Sequence, residues 1–185
     1  MMLLPVEEIK GLFIFEPNIF SDNRGYFFES YNNKDFMKNG IDFKVLQQNQ
    51  SKSGYGTIRG LHYQAGNFPQ AKFVRIIRGE ILDVAVDIRA NSPTFGKYFS
   101  IVLNSENKKG LYIPVGFAHG FSVLSDYAEV FYCCDNYYDR NGEGGIIYND
   151  PSLCIDWQID LDKACLSEKD KNQNSFQEYK NNMVF

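Results

Sequence analysis

Short apolar runs broken by Gly, Pro, Asn and Asp dominate the chain, and helical periodicity is nearly absent. Residues 11–20, rich in Ile and Phe around Leu12-Phe13-Ile14-Phe15, predict a strand. Asp22-Asn23-Arg24-Gly25 predicts a turn, and Tyr26 to Tyr31 a second strand. Asn32 or Asn33 can cap a short helix over 34–39, which Gly40 stops. Residues 45–50 predict a strand and 51–56 a loop; Ile58-Arg59-Gly60-Leu61-His62-Tyr63-Gln64 predicts another strand. The densest β signal follows, where 72–77 and 81–88 flank Arg78-Gly79-Glu80 as in a tight hairpin. Further strands are predicted at 98–103, 111–113, 120–124 and 129–134. From Asp160 the chain turns polar; Leu166 to Asp170 carries helix-capping chemistry, and 171–185 is a polar tail with room for a terminal helix.

Alternation within the strands adds detail. Leu82, Val84, Val86 and Ile88 share one face, while Asp83 and Asp87 share the other with Ile81 and Ala85. Two acids on the less apolar face predict a polar lumen or cleft. Many short strands with turn residues between them predict an all-β sandwich or barrel with a few short helices. No repeat or linker interrupts the 185 residues, which predicts a single domain over 1–185.

Composition narrows the partners. Sixteen Phe and twelve Tyr against one Trp agree with β structure. A net charge of −4 argues against nucleic acid and against an acidic membrane surface, but permits a local cationic pocket. The cysteines, Cys133, Cys134, Cys154 and Cys165, form no C-x-x-C pair and suit reduced thiols. The N-terminus has no basic stretch before its short apolar run, and no run reaches membrane-spanning length. A cytoplasmic protein is expected.

Candidate chemistry centres on the only two histidines. His62 lies between Arg59 and Lys72 in sequence, and a base of near-neutral pKa between two cations suits an anion and a proton transfer. A base needs an orienting carboxylate; Asp83, Asp87 and Asp170 qualify by chemical type. The competing reading is a strand histidine satisfied by a carbonyl. His119, just before Gly120, either holds a turn or donates to a phosphate or hydroxyl. The two histidines are 57 positions apart with no H-x-H pattern, which argues against a metal site. Tyr132 shares a strand face with Val130 and Cys134, as a proton donor opposite the base or as a packed aromatic. Tyr137-Tyr138 follow in a loop and suit stacking on a flat ring.

These passages occur together in one order. They are Asp22 to Asn32, Gln48 to Ser51, Arg59 to Gln64, Gln70-Ala71-Lys72, Asp83 to Asp87, Gly116 to Phe121, Tyr137-Tyr138, Ile155-Asp156-Trp157 and Leu166 to Asp170. Through them the chain resembles the dTDP-4-dehydrorhamnose 3,5-epimerase family of the cupin superfamily, collinearly from about Gly11 to Asp170. The resemblance implies a double-stranded β-helix (jelly roll) that uses no metal or cofactor. It implies a homodimer with N-terminal strands exchanged between subunits. The implied substrate is a nucleotide-linked 4-keto-6-deoxy hexose, inverted at C5 and C3 on the way to dTDP-L-rhamnose for cell-surface polysaccharide.

The resemblance also implies roles. His62 is the base, oriented by Asp170; Lys72 stabilises the enolate; Tyr132 is the acid on the opposite face. Arg24, Arg59 and His119 hold diphosphate and sugar oxygens. Glu29, Gln47, Asn49, Glu143 and Lys169 are further substrate contacts, and Tyr138 stacks on the base. Three positions depart from the family pattern: Gln48, Cys133 and Val115. The first two are expected to touch the pocket's polar lining. The rival activities are a C3-only epimerase and, in another class, a non-catalytic cupin that binds sugar nucleotides. A pure binder has no use for an acid facing a base.

Overall fold

The computed structural model describes residues 1–185. Thirteen strands form two large sheets and one detached hairpin. The six-stranded sheet runs β1 (Met2–Pro5), β2 (Phe13–Glu16), β10 (Gly110–Ile113), β7 (Lys72–Arg78), β12 (Tyr127–Cys134), β5 (Gln47–Gly54). The five-stranded sheet runs β13 (Glu143–Gly145), β6 (Ile58–Gln64), β11 (Phe117–Val123), β8 (Glu80–Asp87), β9 (Tyr98–Asn104). The hairpin pairs β3 (Phe20–Asp22) with β4 (Gly25–Phe27) and joins neither sheet. From β5 onward every connection except β8–β9 crosses between sheets, the winding of a jelly roll.

That winding overturns the expected hairpin at Arg78-Gly79-Glu80. β7 and β8 lie in different sheets, so the chain turns a corner there instead of folding back. Gly79 makes the corner with φ of +77°, and any Cβ on it would meet the Tyr127 carbonyl.

Other boundaries moved for identifiable reasons. Pro17, which has no N–H to give a ladder, separates β2 from β3 where one strand was expected over 11–20. The strand expected over 26–31 ends at Phe27. The loop expected over 51–56 is mostly strand, because β5 pairs with β12 along all eight residues. Its alternation of half-buried and exposed positions runs through polar residues and is silent to a hydrophobicity reading. β11 starts three residues early, at Phe117, and the short β1 and β13 carried no strand signal of their own. Helix α1 (Asn33–Lys38) formed as expected, with the Asn32 side chain accepting from Lys34 N and Gly40 at φ +75° beyond its end.

Three apolar layers hold the molecule. Val74, Ile76 and Val130 meet Ile81, Phe117 and Phe121 between the sheets. Outside the six-stranded sheet, Phe15 and Phe73 pack on Phe36 and Phe43 of the α1 region. Outside the five-stranded sheet, Leu82, Val84 and Val86 pack on Trp157, Phe176 and Tyr179. The more apolar face of β8 therefore points outward, under the C-terminal segment, and its Asp83 face points between the sheets. The terminal helix that the polar tail left room for is α3 (Phe176–Asn181), with a Ser175–Glu178 capping box; the correction is that it buries Phe176 and Tyr179. No helix is long and apolar enough to cross a membrane.

Candidate active site

The jelly roll brings the two histidines together. β6 and β11 are antiparallel neighbours, and His62 and His119 are direct cross-strand partners. Each then takes its own carboxylate. His62 Nε2 lies 2.5 Å from Asp170 Oδ1, and His119 Nε2 lies 2.7 Å from Asp83 Oδ1. Of the three acids left open by residue type, Asp170 pairs with His62, Asp83 with the other histidine, and Asp87 with Arg89, Ser92 and Thr94. No group of three or more His, Cys, Asp or Glu side chains is arranged to hold a metal ion.

Asp170 arrives from far along the chain, and local structure fixes it. Cys165 N donates to Gly56 O and Ile58 N donates to Cys165 O, pinning this segment to the start of β6. Ser167 then caps the short helix α2 (Glu168–Lys171). Its hydroxyl accepts from Asp170 N and donates to Asp170 Oδ2 at 2.8 Å. Burial pushes the Asp170 carboxyl up, but His62, Ser167 and Lys169 outweigh it and hold the group below its ordinary range. Asp170 is thus an anion against one nitrogen of His62, which leaves the other nitrogen for a substrate proton. Ser167 had a cap signature in the sequence, but nothing there tied it to His62.

Across the space between the sheets stand Lys72 and Tyr132, on β7 and β12 of the six-stranded sheet. Both line a cavity of about 300 Å³ together with His62, Asp170, Arg59 and His119. Lys72 is half-buried; burial lowers its pKa, while Cys134, Glu143 and Asp83 oppose the change. Burial, with Cys134 beside it, raises the Tyr132 phenol, which therefore keeps its proton at neutral pH. Neither head group has a hydrogen-bond partner in the chain. Both are free to meet an oxygen or a carbon between the sheets.

The cavity extends into a lobe of about 130 Å³ that shares Asn49, His62, Lys72 and Tyr132 and adds Gln47, Tyr138 and Glu143. At its rim Lys169 Nζ lies 2.5 Å from Glu143, which also accepts from the Tyr138 hydroxyl at 2.9 Å. Arg59 donates through Nε to Ser53 at 3.0 Å, keeping its outer nitrogens for a ligand. Gln50, Ser51 and Phe121 also line the main lobe without having been singled out. A larger hollow, about 450 Å³, lies among Glu7, Lys10, Arg89 and Phe185 and contains none of the predicted site residues.

Two predicted contacts stay away from the cavity. Arg24 sits at the tip of the β3–β4 hairpin with its side chain 85% exposed, bonded only to Asp22. Glu29 bonds Asn32. The departures from the family pattern also fall off the lining: Gln48 is exposed, and Cys133 and Val115 pack on the outer side of the six-stranded sheet. The expectation that Gln48 and Cys133 touch the pocket is therefore wrong. Strand alternation puts Asn49 and Tyr132 inward and Gln48 and Cys133 outward.

The family model described as dTDP-4-dehydrorhamnose 3,5-epimerase matches residues 6–178. The Shigella flexneri dTDP-4-dehydrorhamnose 3,5-epimerase is 49% identical over 170 residues, covering 91% of this chain and 93% of its own. A Legionella pneumophila dTDP-6-deoxy-D-glucose-3,5-epimerase, solved in complex with dTDP-4-keto-L-rhamnose, is 43% identical with a TM-score of 0.90, covering 95% of this chain and 93% of its own. A 3'-monoepimerase from Streptomyces bikiniensis, solved with dTDP-quinovose, is 34% identical with a TM-score of 0.89, covering 96% and 89%. A match this long, on a jelly roll whose interior holds the expected base and acid, leaves one conclusion: the chain belongs to the dTDP-4-dehydrorhamnose 3,5-epimerase family.

Proposed function

We propose that this protein converts dTDP-4-dehydro-6-deoxy-D-glucose into dTDP-4-dehydro-L-rhamnose by inverting C5 and C3. The observation that carries the reading is a carboxylate-backed imidazole and an unpaired phenol on opposite sheets of one cavity, with the Lys72 side chain between the same walls. Both carbons are α to the C4 ketone, so loss of a proton places charge on the C4 oxygen. His62 removes the proton, its ring held by Asp170. Lys72 stabilises the enolate oxygen by preorganised charge. Tyr132 delivers a proton to the other face, and the stereocentre inverts. Proton removal and return change no oxidation state, so acid, base and a charge stabiliser suffice. Arg59 and His119 face the substrate's oxygens, and Tyr138, with Gln47, Asn49, Glu143 and Lys169 around it, receives the nucleotide.

In D₂O, the enzyme should place deuterium at both C3 and C5 of the product, read by NMR. Label at C3 alone would favour the monoepimerase reading, and no exchange at either carbon would leave a binding module.

The active form in this proposal is a homodimer in the cytoplasm, supplying a sugar for cell-surface polysaccharide. Phe20, Tyr26 and Phe27 of the β3–β4 hairpin are 64%, 62% and 66% exposed, an unusual amount of aromatic surface for a free hairpin. Exchange of the N-terminal segment between two copies buries these rings and carries Arg24 and Glu29 to the partner's cavity. Light scattering should give twice the chain mass of 21.3 kDa; a monomer with full activity would contradict the dimer.

A further inference from the structure

We propose that Gln64 is a positioning residue for the nucleotide: its amide holds the Tyr137–Asp139 loop so that Tyr138 forms a fixed stacking platform at a set distance from His62. This rests on the reading of Tyr138 as the nucleotide contact.

Gln64 is 4% exposed, an unusual place for a glutamine unless its amide is fully satisfied. Its Nε2 donates to the carbonyls of Phe68 and of Tyr137, the latter at 2.9 Å. Its Oε1 accepts from Asp139 N at 2.9 Å. Two carbonyls demand the nitrogen and one N–H demands the oxygen, so the amide orientation is unambiguous. Tyr138 is thereby held through both of its neighbours. Its own N–H donates to Gln47 Oε1 at 2.8 Å, from the opposite sheet. Three consecutive residues are tied by two glutamines, one from each sheet.

The Tyr138 ring itself has little to hold it. It is 55% exposed, and its one side-chain bond goes to Glu143. A flat ring that stacks on a ligand gains most when it is already fixed, because the ligand then pays no cost of ordering it. Here the order comes from the backbone ties. Gln64 also stands two residues after His62, on the same face of β6. One rigid strand thus carries the imidazole and the clamp on the nucleotide loop, and Gln64 is the cross-strand partner of Glu143 on β13. Only glutamine fits this post. Glutamate lacks both donors, and asparagine is one methylene shorter.

The test uses Q64M, which keeps the length and removes all three bonds, with Q64E beside it, which keeps only the acceptor. Cooperative thermal melting establishes that each variant folds. Calorimetry with dTDP and steady-state kinetics then read the effect. Loss of the clamp is expected to weaken dTDP binding about tenfold or more. KM should rise by a similar factor, with kcat falling by less. In a Y138A background the same Q64M change should cost dTDP binding nearly nothing, since its effect runs through the ring.

Unchanged dTDP affinity in the folded variant overturns the proposal. So does a loss that simply adds to that of Y138A, or a kcat effect with constant KM. Failure of both variants to melt cooperatively assigns Gln64 a structural role alone and overturns it equally. If Y138A by itself leaves dTDP binding intact, the platform is elsewhere and the inference falls. A wild-type protein that neither binds dTDP nor epimerises would instead sink the proposed function.

Discussion

Two side chains with nearly the same surroundings divide the chemistry at the residue scale. His62 and Tyr132 line one cavity, but His62 is tied to an anion while Tyr132 is tied to nothing. The first has a carboxylate at one ring nitrogen and the other nitrogen open to the cavity. The second holds its proton because burial raises it. This asymmetry makes Tyr132→Phe informative. With the hydroxyl gone and His62 intact, solvent deuterium should still enter at the α-carbon. Inversion should fall by ~10²-fold or more, the usual worth of a positioned acid. NMR of the recovered sugar nucleotide reads both at once, and inversion at the wild-type rate would remove Tyr132 from the mechanism. His62→Ala, by contrast, should stop exchange and inversion together.

Elements bring these groups together by carrying them across the sandwich. β6 supplies His62, β7 Lys72 and β12 Tyr132, and the crossing connections put the first in one sheet and the other two in the facing sheet. A true β7–β8 hairpin would have left Lys72 beside β8, in the sheet that carries His62. The C-terminal elements matter as much. α2 delivers Asp170, and the segment after it, through Phe176 and Tyr179, covers the outer face of β6, β8 and β11. Phe176 is 3% exposed, so Phe176→Ala should cost about 3–5 kcal/mol, the range for emptying an aromatic core site. Denaturant unfolding measures it; a cost near zero would show that this segment adds little to the fold.

For the whole molecule, buried carboxylates set the acid limit. Asp87 is fully buried; burial pushes its carboxyl up, yet Arg89, Ser92 and Thr94 together hold it below its ordinary value. A carboxyl whose folded pKa lies below its unfolded value of about 3.9 binds protons more readily once unfolded. Its stabilisation is complete above the unfolded pKa and is lost as pH falls through the folded one. Asp150 and Asp170 are shifted the same way and add to this. The melting temperature should therefore drop as pH falls below about 4. Asp87→Asn should melt lower at neutral pH and show a shallower acid slope, followed by calorimetry across that range. An unchanged slope would mean that Asp87 is not among the groups setting the limit.

Periodicity, turn residues and caps act within a few residues of themselves. They therefore specified the all-β class, helix α1 and most strand centres, and the order of His62, Lys72, Tyr132 and Asp170 carried the family. Three decisions lay beyond their reach. β5 is polar, and only its partner β12 makes Ser51 to Gly54 a strand. The turn at Gly79 has the same local chemistry whether it closes a hairpin or a corner, and packing of two sheets selects the corner. Three aspartates were equally eligible for His62, and the fold chose the one 108 residues away by pinning Cys165 against Gly56 and Ile58. Each of these depends on burial shared between distant segments, which a local pattern does not contain.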